Sequence, residues 1–553
     1  TQEQETCFED ISKHSDFSTH LVFGVTGSGK TEIYLRLLEK ILAEGKRGLV
    51  LVPEISLTPQ LIQRFARRFG EEKIAALHSQ LTDRERTTQW WDVVEGRKSI
   101  LIGARSALFC PVENLGLIIV DEEHEPSFKQ DEKLKYNGRD AAVMLGKMMN
   151  CPVVLGSATP SLESWKNAKD GRYHLHRLKN RVANRSLPDM HVIDLRKIKE
   201  DDDLQKLMIT KYSHLPFWMS PALYEQMNDV MARGDQAALF LNRRGVAQMV
   251  VCPACGHTRE CPNCDISLTL HGKSHLVCHY CDYHENLKAK CPDCKEGELE
   301  AIGLGTELLE SDLAKLYPEK IIARADRDEI QSRNDMEDLI HKMEVGEIDI
   351  LVGTQMIAKG LDFPKLKLVG LVLADVGFNL PDFRATERSF QLITQMSGRA
   401  GRHIKEGEAA GQVIIQTFNA EHDSIVFAQR HDFEGFADHE LEIRGQLNYP
   451  PVGRLVSFRI QGTKLGVVEE AARLLARRAA ALKAKFPQYS GIEILGPAEA
   501  PLSKLRGQFR FQLLLKAPGA GLTNQFARQL LGDQEWVPNG IRILIDIDPM
   551  SLL

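Results

Sequence analysis

Short runs of apolar residues, each followed by helix-like sequence, recur along the chain in two sets. The first is LVFGV (21–25), GLVLVP (48–53), ILIGA (100–104), LGLIIVDEEH (115–124) and CPVVLGSAT (151–159). The second is AALFLN (237–242), IIARAD (321–326), DILVGT (349–354), LVGLVLAD (368–375) and AGQVIIQTF (410–418). A strand that is apolar on both faces suits a parallel sheet covered by helices. The alternation therefore predicts an α/β fold with two doubly wound parallel-sheet lobes. Punctuation agrees: one helix starts at Thr58 with Pro59 in its first position and stops at Gly70. The charged, aperiodic RKIKEDDDLQKL (196–207) reads as a solvated linker. From about residue 445, RLVSFRIQG and FRFQLLLK alternate as strands around a helical VVEEAARLLARRAAALKAKF, a small α+β domain. The expected units are a first lobe (1–195), linker and start of the second lobe (196–250), an insertion (251–302), the rest of the second lobe (303–444) and a C-terminal domain (445–553).

The insertion holds eight of the eleven cysteines, in four Cys-x-x-Cys pairs: Cys252/Cys255, Cys261/Cys264, Cys278/Cys281 and Cys291/Cys294. No signal-peptide pattern and no run of about 18 apolar residues accompanies them, so metal ligation in a reducing cytosol is expected, without disulfides or a membrane span. Eight thiolates fit two tetrahedral zinc sites of four cysteines each; iron–sulfur clusters or redox pairs are the competing uses. Joining the first two pairs would leave only GHTRE between them. Zinc ribbons place roughly 15–20 residues there, and Cys264 to Cys278 comes close. The expectation is nesting, with the second and third pairs inside and the first and fourth outside; a crossed arrangement remains the alternative. His257, His271, His275, His279 and His284 then have no ligand vacancy and are expected at the surface or facing nucleic acid. A closed four-cysteine site is structural, and about forty residues need the metal to fold. The insertion is expected to form a rigid projection from the second lobe.

The motor residues lie in the lobes. GVTGSGKT (24–31) fits G-x-x-x-x-G-K-[ST] after a strand and before a helix. Gly24, Gly27, Ser28 and Gly29 would let backbone N–H groups approach phosphates. Lys30 would reach the β/γ-phosphates of ATP, and Thr31 would ligate Mg²⁺. The strand LIIVDEEH ends in Asp121, which would hold Mg²⁺ through water, and Glu122, which would orient or deprotonate the attacking water. In QMSGRAGR (395–402), Arg399 and Arg402 are positioned to stabilise transition-state charge from the opposite lobe. A structural glycine turn, a solvated acidic loop and surface ion pairs are the plain alternatives to these three readings. The net charge of −6 excludes a protein basic all over, but not a local basic groove for nucleic acid.

Together with LVPEISLTPQ, GARSALF, GSATPS, LFLNRRG, GLGTE and VGTQMIAKGLDFP, these motifs resemble superfamily 2 helicases, in which two RecA-like lobes clamp ATP. DEEHEPSFKQDEKLKYNGRDAAV, the eight-cysteine insertion after FLNRRG and the terminal DIDP are similar to the bacterial PriA family of replication-restart helicases (primosomal protein N′). The resemblance implies ATP-driven 3′→5′ movement on single-stranded DNA, remodelling of stalled or repaired forks, and primosome assembly. It implies that Gln4 reads adenine and that Ser157 and Thr159 couple hydrolysis to lobe movement. Thr354, Gln355, Gly360, Gly305 and Thr306 would touch the DNA backbone. Phe128, Lys129, Tyr136 and Arg139, in the aromatic-rich loop after DEEH, would sense DNA. Leu134 stands where some relatives carry Trp. KLRGQFRFQLLLK (504–516) would form a half-buried edge strand, or a basic aromatic site for DNA or for single-stranded DNA-binding protein (SSB). Other implied partners are primosome proteins and the replicative helicase loader. The expected setting is a monomer in the cytoplasm, associated with the nucleoid. The chain opens at Thr1 inside the helicase, either as a piece of a longer protein or as a naturally short relative; without the family's N-terminal DNA-binding region, weaker fork selectivity is expected. A double-strand translocase, an RNA helicase or a non-enzymatic scaffold are the competing functions.

Overall fold

The computed structural model describes the chain except for residues 54–58, 79–80, 133, 182–187, 242–248, 265, 272–273, 289, 303, 327–328, 331–332, 355–362, 399–410, 534 and 553. The first lobe is built on β1 (Thr19–Gly24), β2 (Arg47–Leu51), β3 (Ile74–Leu77), β4 (Ile100–Gly103), β5 (Leu115–Asp121), β6 (Val153–Ser157) and β7 (His174–Leu178). Their order is β3-β4-β2-β5-β6-β1-β7, every pairing parallel. The five expected runs supply the centre. Neither edge strand shows in the apolar pattern: β3 is four residues long, and β7 carries His, His and Arg.

The second lobe begins with β8 (Asp189–Asp194) and β9 (Gln236–Phe240), which precede the cysteine module. The module contains β10 (Met249–Val251), β11 (Thr269–His271), β12 (His275–Val277), β13 (His284–Asn286) and β14 (Glu300–Ile302). The lobe resumes with β15 (Ile322–Ala325), β16 (Ile350–Gly353), β17 (Leu366–Leu371) and β18 (Gln412–Thr417), and its parallel order is β15-β16-β9-β17-β18-β8. Two expectations shift here. β8 lies before residue 195, yet it pairs with β18 from Asp189↔Gln412 to Asp194↔Thr417, so the second sheet takes its edge strand from the first expected unit. The stretch read as a linker forms two helices, Lys197–Glu200 and Asp202–Thr210. The Asp201 carboxylate caps the second by accepting from the N–H groups of Asp203 and Leu204.

The C-terminal unit is a sheet of β19 (Arg454–Gly462), β20 (Glu493–Leu505), β21 (Gln508–Ala517) and β22 (Arg542–Ile547), in the order β20-β21-β19-β22 and antiparallel. Arg506 (φ 50°) and Gly507 (φ 76°) make the tight turn from β20 to β21, a left-handed pair suited to a two-residue hairpin. Helices Leu465–Lys485 and Ala520–Leu531 cover one face, over Phe511, Leu513 and Leu515. The other face is covered too. Leu495 and Leu514 share a core with Cys261, Cys264, Cys278 and Tyr280 of the module and with Phe383 of the second lobe. The expected half-buried edge strand is therefore an inner strand.

This packing corrects the picture of a free projection. β10 and β14 pair antiparallel at the module's base. Its body sits on the C-terminal sheet: Tyr449 OH donates to Cys264 O at 3.2 Å, and Gln512 Nε2 donates to His279 O at 2.6 Å. Forty residues with little apolar surface gain stability by sharing a neighbour's core as well as by binding metal.

Candidate ATP site, DNA cleft and zinc sites

β1 ends at Gly24, and the loop turns through Gly27 (φ 84°) and Gly29 (φ 82°), backbone states that cost glycine little. The helix Lys30–Ala43 starts with no side-chain cap, so its first N–H groups remain for an anionic ligand. Lys30 Nζ lies inside the loop and donates to Gly24 O at 2.8 Å. Thr31 is the next residue of the helix. Gln4 Nε2 donates to Ser28 O at 2.8 Å, tying the helix Gln2–Ser12 to the loop.

Asp121 closes β5 beside this loop, and Tyr34 OH donates to its Oδ1 at 3.0 Å. Burial pushes the Asp121 carboxyl up to about 6. Glu122 adds to the rise, and the Lys30 ammonium opposes it. Glu122 has a left-handed backbone (φ 48°), uncommon for a residue with a side chain and typical of strained functional turns. Its Oε2 is buried without a hydrogen bond, 3.6 Å from His124 Nδ1.

The next two residues carry the site across the lobes. His124 Nδ1 meets Ser157 Oγ at 2.7 Å, and its Nε2 meets the amide of Gln395 in the second lobe. Thr159 N donates to the same Ser157 Oγ at 2.9 Å. Glu123 accepts from Ser161 N, Ser161 Oγ and Ser164 Oγ at 2.7–2.9 Å, with Arg139 Nη1 at 3.3 Å. Leu162 N donates to Glu387 Oε1 at 3.1 Å, and Glu163 pairs with Arg384 at 2.7 Å. Gly398, at the end of the helix Ala385–Ser397, comes so close to the loop that a Cβ there would stand 2.7 Å from Thr26 Oγ1. The loop, the acidic strand end, Ser157/Thr159 and the second lobe thus meet in one place. Arg399 and Arg402, which follow that helix, lie outside the described residues, as do Gln355 and Gly360.

The residues assigned to DNA separate into two groups. Phe128, 1% exposed, packs in the core of the first lobe. Lys129 is buried against the C-terminal domain, its Nζ 2.8 Å from Asp546 Oδ1. Arg139, 3% exposed, is held by Glu123, Asp140 and Ser161. Thr306 is buried and donates to Asp326 Oδ2 at 2.8 Å. Because their side chains are already enclosed and paired, these four do not present themselves to a strand in this conformation. Gly305 precedes the helix Thr306–Leu316, whose start has no side-chain cap, so backbone N–H groups face outward there. Thr354 follows β16 and is half-buried. Tyr136 is also half-buried and meets Phe109 edge-on, ring centroids 5.3 Å apart. Around that pair opens a cleft of about 740 Å³ that also takes in Arg86, Trp90, Arg105 and Leu134. Arg105 and Phe109 lie within GARSALF, so a motif marked them. Arg86 and Trp90 come from a helix that no motif marked, and only the fold brings them in.

The eight sulfurs gather in two groups, Cys252/Cys255/Cys291/Cys294 and Cys261/Cys264/Cys278/Cys281, which is the nested arrangement. Cys252–Cys294, Cys255–Cys291 and Cys261–Cys281 Sγ atoms lie 3.8, 3.6 and 3.5 Å apart. Four bonds of about 2.3 Å in a tetrahedron place sulfurs about 3.8 Å apart, so both groups fit structural zinc. In the inner group the hydrogen bond from Cys264 pulls Cys278 down to about 5, while Cys264 itself is pushed up. Gathered thiolates call for a cation. The histidines depart from the surface expectation at one point. His279 is fully buried, with its Nδ1 2.8 Å from Glu499 O.

Four family models match the chain: DEAD/DEAH box helicase over residues 1–168, PriA DNA helicase Cys-rich region (CRR) domain over 261–285, Helicase conserved C-terminal domain over 306–404, and Primosomal protein N C-terminal domain over 445–550. Among curated proteins, replication restart protein PriA of Bacillus subtilis is 40% identical, across all of this chain and 67% of its own length. PriA of Haemophilus influenzae is 39% identical across all of this chain and 72% of its own length, and PriA of Treponema pallidum 39% across all of this chain and 80%. The chain thus spans about two thirds to four fifths of the relatives it matches.

Proposed function

The chain belongs to the replication restart protein PriA family and is built as an ATP-dependent DNA helicase of replication restart; on that premise we propose how it works. It moves 3′→5′ on single-stranded DNA, remodels stalled or repaired forks, and starts primosome assembly there. ATP binds between the lobes, with its phosphates on the amides of Gly27–Thr31 and on Lys30, and Gln4 at the adenine. Thr31 and Asp121 would hold Mg²⁺, which would supply neutralisation of phosphate charge. Glu122 positions the attacking water, and Arg399 and Arg402 approach the developing charge from the second lobe. Ser157 and Thr159 pass the state of the nucleotide to Gln395 and to Gln391, whose Nε2 donates to Thr159 O at 3.5 Å.

Single-stranded DNA runs past Tyr136, Phe109 and Arg105, with Gly305, Thr354, Gln355 and Gly360 on its backbone. Aromatic faces give sequence-tolerant stacking there. Phe128, Lys129 and Arg139 act behind the cleft by linking it to Glu123 and to the C-terminal domain. SSB, primosome proteins and the replicative helicase loader dock on the outer surfaces, and the protein works as a monomer at the nucleoid in the cytoplasm. No helix among the described residues is long and apolar enough to cross a membrane.

The observation that carries this reading is that His124, 3.6 Å from Glu122, is joined to Ser157 and to Gln395 across the lobes, which supports a nucleotide site that senses lobe position. The test is ATP hydrolysis and strand displacement on forks with a 3′ or a 5′ single-stranded arm. Turnover stimulated by DNA, with displacement in the 3′→5′ sense only, is expected. Equal displacement in both senses, or stimulation by RNA alone, would overturn it.

A further inference from the structure

Four histidines meet on the first lobe, at the end of the sheet away from the P-loop. His20 is the second residue of β1, and His174 and His176 belong to β7. The parallel register sets His20 opposite His174 and Val22 opposite His176. Residues two apart on a strand share a face, so the three imidazoles lie on one side of the sheet. His14, just past the helix Gln2–Ser12, closes the group, its ring centroid 5.0 Å from that of His20 and 4.8 Å from that of His174. His20 and His174 are stacked at 5.0 Å. None of these residues takes part in the nucleotide site, the DNA cleft or the cysteine module.

His20 is held at both ring nitrogens: Nε2 lies 2.9 Å from Ser18 Oγ and Nδ1 lies 3.0 Å from His176 Nε2. In the tautomer protonated on Nε2, Ser18 Oγ accepts and the Nδ1 lone pair faces His176. Two imidazole nitrogens on one tetrahedral zinc, with bonds of about 2.0 Å, stand about 3.3 Å apart. Ser18 holds the outer N–H of His20 as outer partners hold metal-bound histidines.

We propose that this cluster is a third metal site, taking a zinc-like divalent cation on His20 Nδ1 and His176 Nε2, with His14 and His174 completing the set. Only His20 and His176 already stand at ligating separation; the exposed rings of His14 and His174 must turn to close the site. All-imidazole ligation suits late first-row cations such as Zn²⁺ and Ni²⁺ over Mg²⁺, so the site does not compete for the nucleotide's metal. The bound ion would staple three pieces: the helix that carries Gln4, the strand that leads into Gly24, and strand β7, which among the described residues is at the edge of the sheet.

The test uses the untagged full chain with both cysteine sites filled with zinc. It is titrated with Zn²⁺ against a chelator of intermediate strength, and separately with Co²⁺, followed by absorption. A third equivalent is expected at micromolar free zinc or below. Cobalt at this site should give ligand-field bands without thiolate charge transfer, and melting temperature should rise by a few degrees on filling. The variant His174→Gln/His176→Gln, altered at an edge strand outside the motor machinery, should keep two zincs and DNA-stimulated ATPase while losing the third equivalent and the melting shift. A third equivalent absent from the wild type, taken up only at millimolar zinc, or retained by the variant would overturn the proposal. His14→Ala as a second variant should weaken binding at least tenfold; unchanged affinity would remove His14 from the set and leave a hydrogen-bonded pair, which overturns it as stated.

Discussion

In the proposed mechanism Lys30 and Glu122 serve one nucleotide in different ways, so their substitutions should separate. Lys30 places an ammonium within the loop that is to cradle phosphate. Lys30→Ala should remove phosphate binding and abolish hydrolysis with the fold intact, as DNA-stimulated ATPase and thermal melting will check. Glu122→Gln preserves size and should keep ATP binding while slowing turnover by orders of magnitude, measured as nucleotide affinity against kcat. Gly398 gives a subtler test. A methyl there would meet Thr26 Oγ1 at 2.7 Å and its carbons at 2.8 Å, so Gly398→Ala should hold the lobes slightly apart. ATPase is expected to fall about tenfold or more with affinity for DNA nearly unchanged; wild-type turnover would show that the contact yields easily. At this scale the nucleotide motifs are legible because each is contiguous, and its spacing encodes a loop or strand end. The enclosure of Phe128, Lys129 and Arg139 is hidden from the sequence for the opposite reason. Their loop is continuous in sequence, but its burial depends on Asp546, 417 residues beyond Lys129, and on serines that follow another strand.

Among the elements, the cysteine module shows most clearly what sequence can and cannot say. Spacing anticipates which pairs share a metal, because zinc ribbons place roughly 15–20 residues between their two pairs and only the middle connection comes close. It does not show what the module rests on. Cysteines of both groups share the core with Leu495 and Leu514. The inner group is also hydrogen-bonded to the C-terminal sheet through His279, which meets Glu499 O and accepts from Gln512, whereas at the outer group Arg196 Nη1 donates to Cys255 O at 3.2 Å. Cys261→Ser/Cys264→Ser should therefore lose one zinc of the two held by cysteine and free the C-terminal sheet at β21. Limited proteolysis and hydrogen exchange should find β20–β21 opened, with ATPase on single-stranded DNA largely kept and fork unwinding falling steeply. Cys291→Ser/Cys294→Ser should instead loosen β10 and β14 and lower the melting of the second lobe. Protection of β20–β21 unchanged in the inner variant would contradict the shared core.

Across the whole molecule, a buried ionic chain joins the lobes: Arg139 to Glu123, Glu163 to Arg384, Arg384 to Glu387, and Arg444 to both Glu387 and Glu440. Burial alone would raise Glu163, but the guanidiniums of Arg384, Arg139 and Arg444 hold it down at about 2. Separated from them, the carboxylate would titrate near its ordinary 4.5. The contact therefore contributes in full above that pH, and its contribution is lost as pH falls from there toward 2. Fluorescence transfer between dyes on the two lobes should report opening over that window. Glu163→Gln should weaken closure by about 3 kcal/mol at neutral pH, because it leaves a buried guanidinium partly unpaired, and should flatten this acid response. An unchanged acid profile in the variant would assign the opening to other groups.

The placement of β8 has a consequence in time. It is made before β9, yet its neighbour in the sheet is β18, more than two hundred residues later. The nascent chain must hold Asp189–Asp194 open while the whole cysteine module and the four other strands of that sheet emerge. Loop closure over such a separation is slow compared with local folding. The second lobe should be the last part of this α/β motor to become protease-resistant during synthesis, after a first lobe whose seven strands all lie within residues 19–178. A cell short of zinc would then present its quality-control machinery with a long-lived half-made sheet, so metal supply would limit the yield of the helicase before it limits any step of its catalysis.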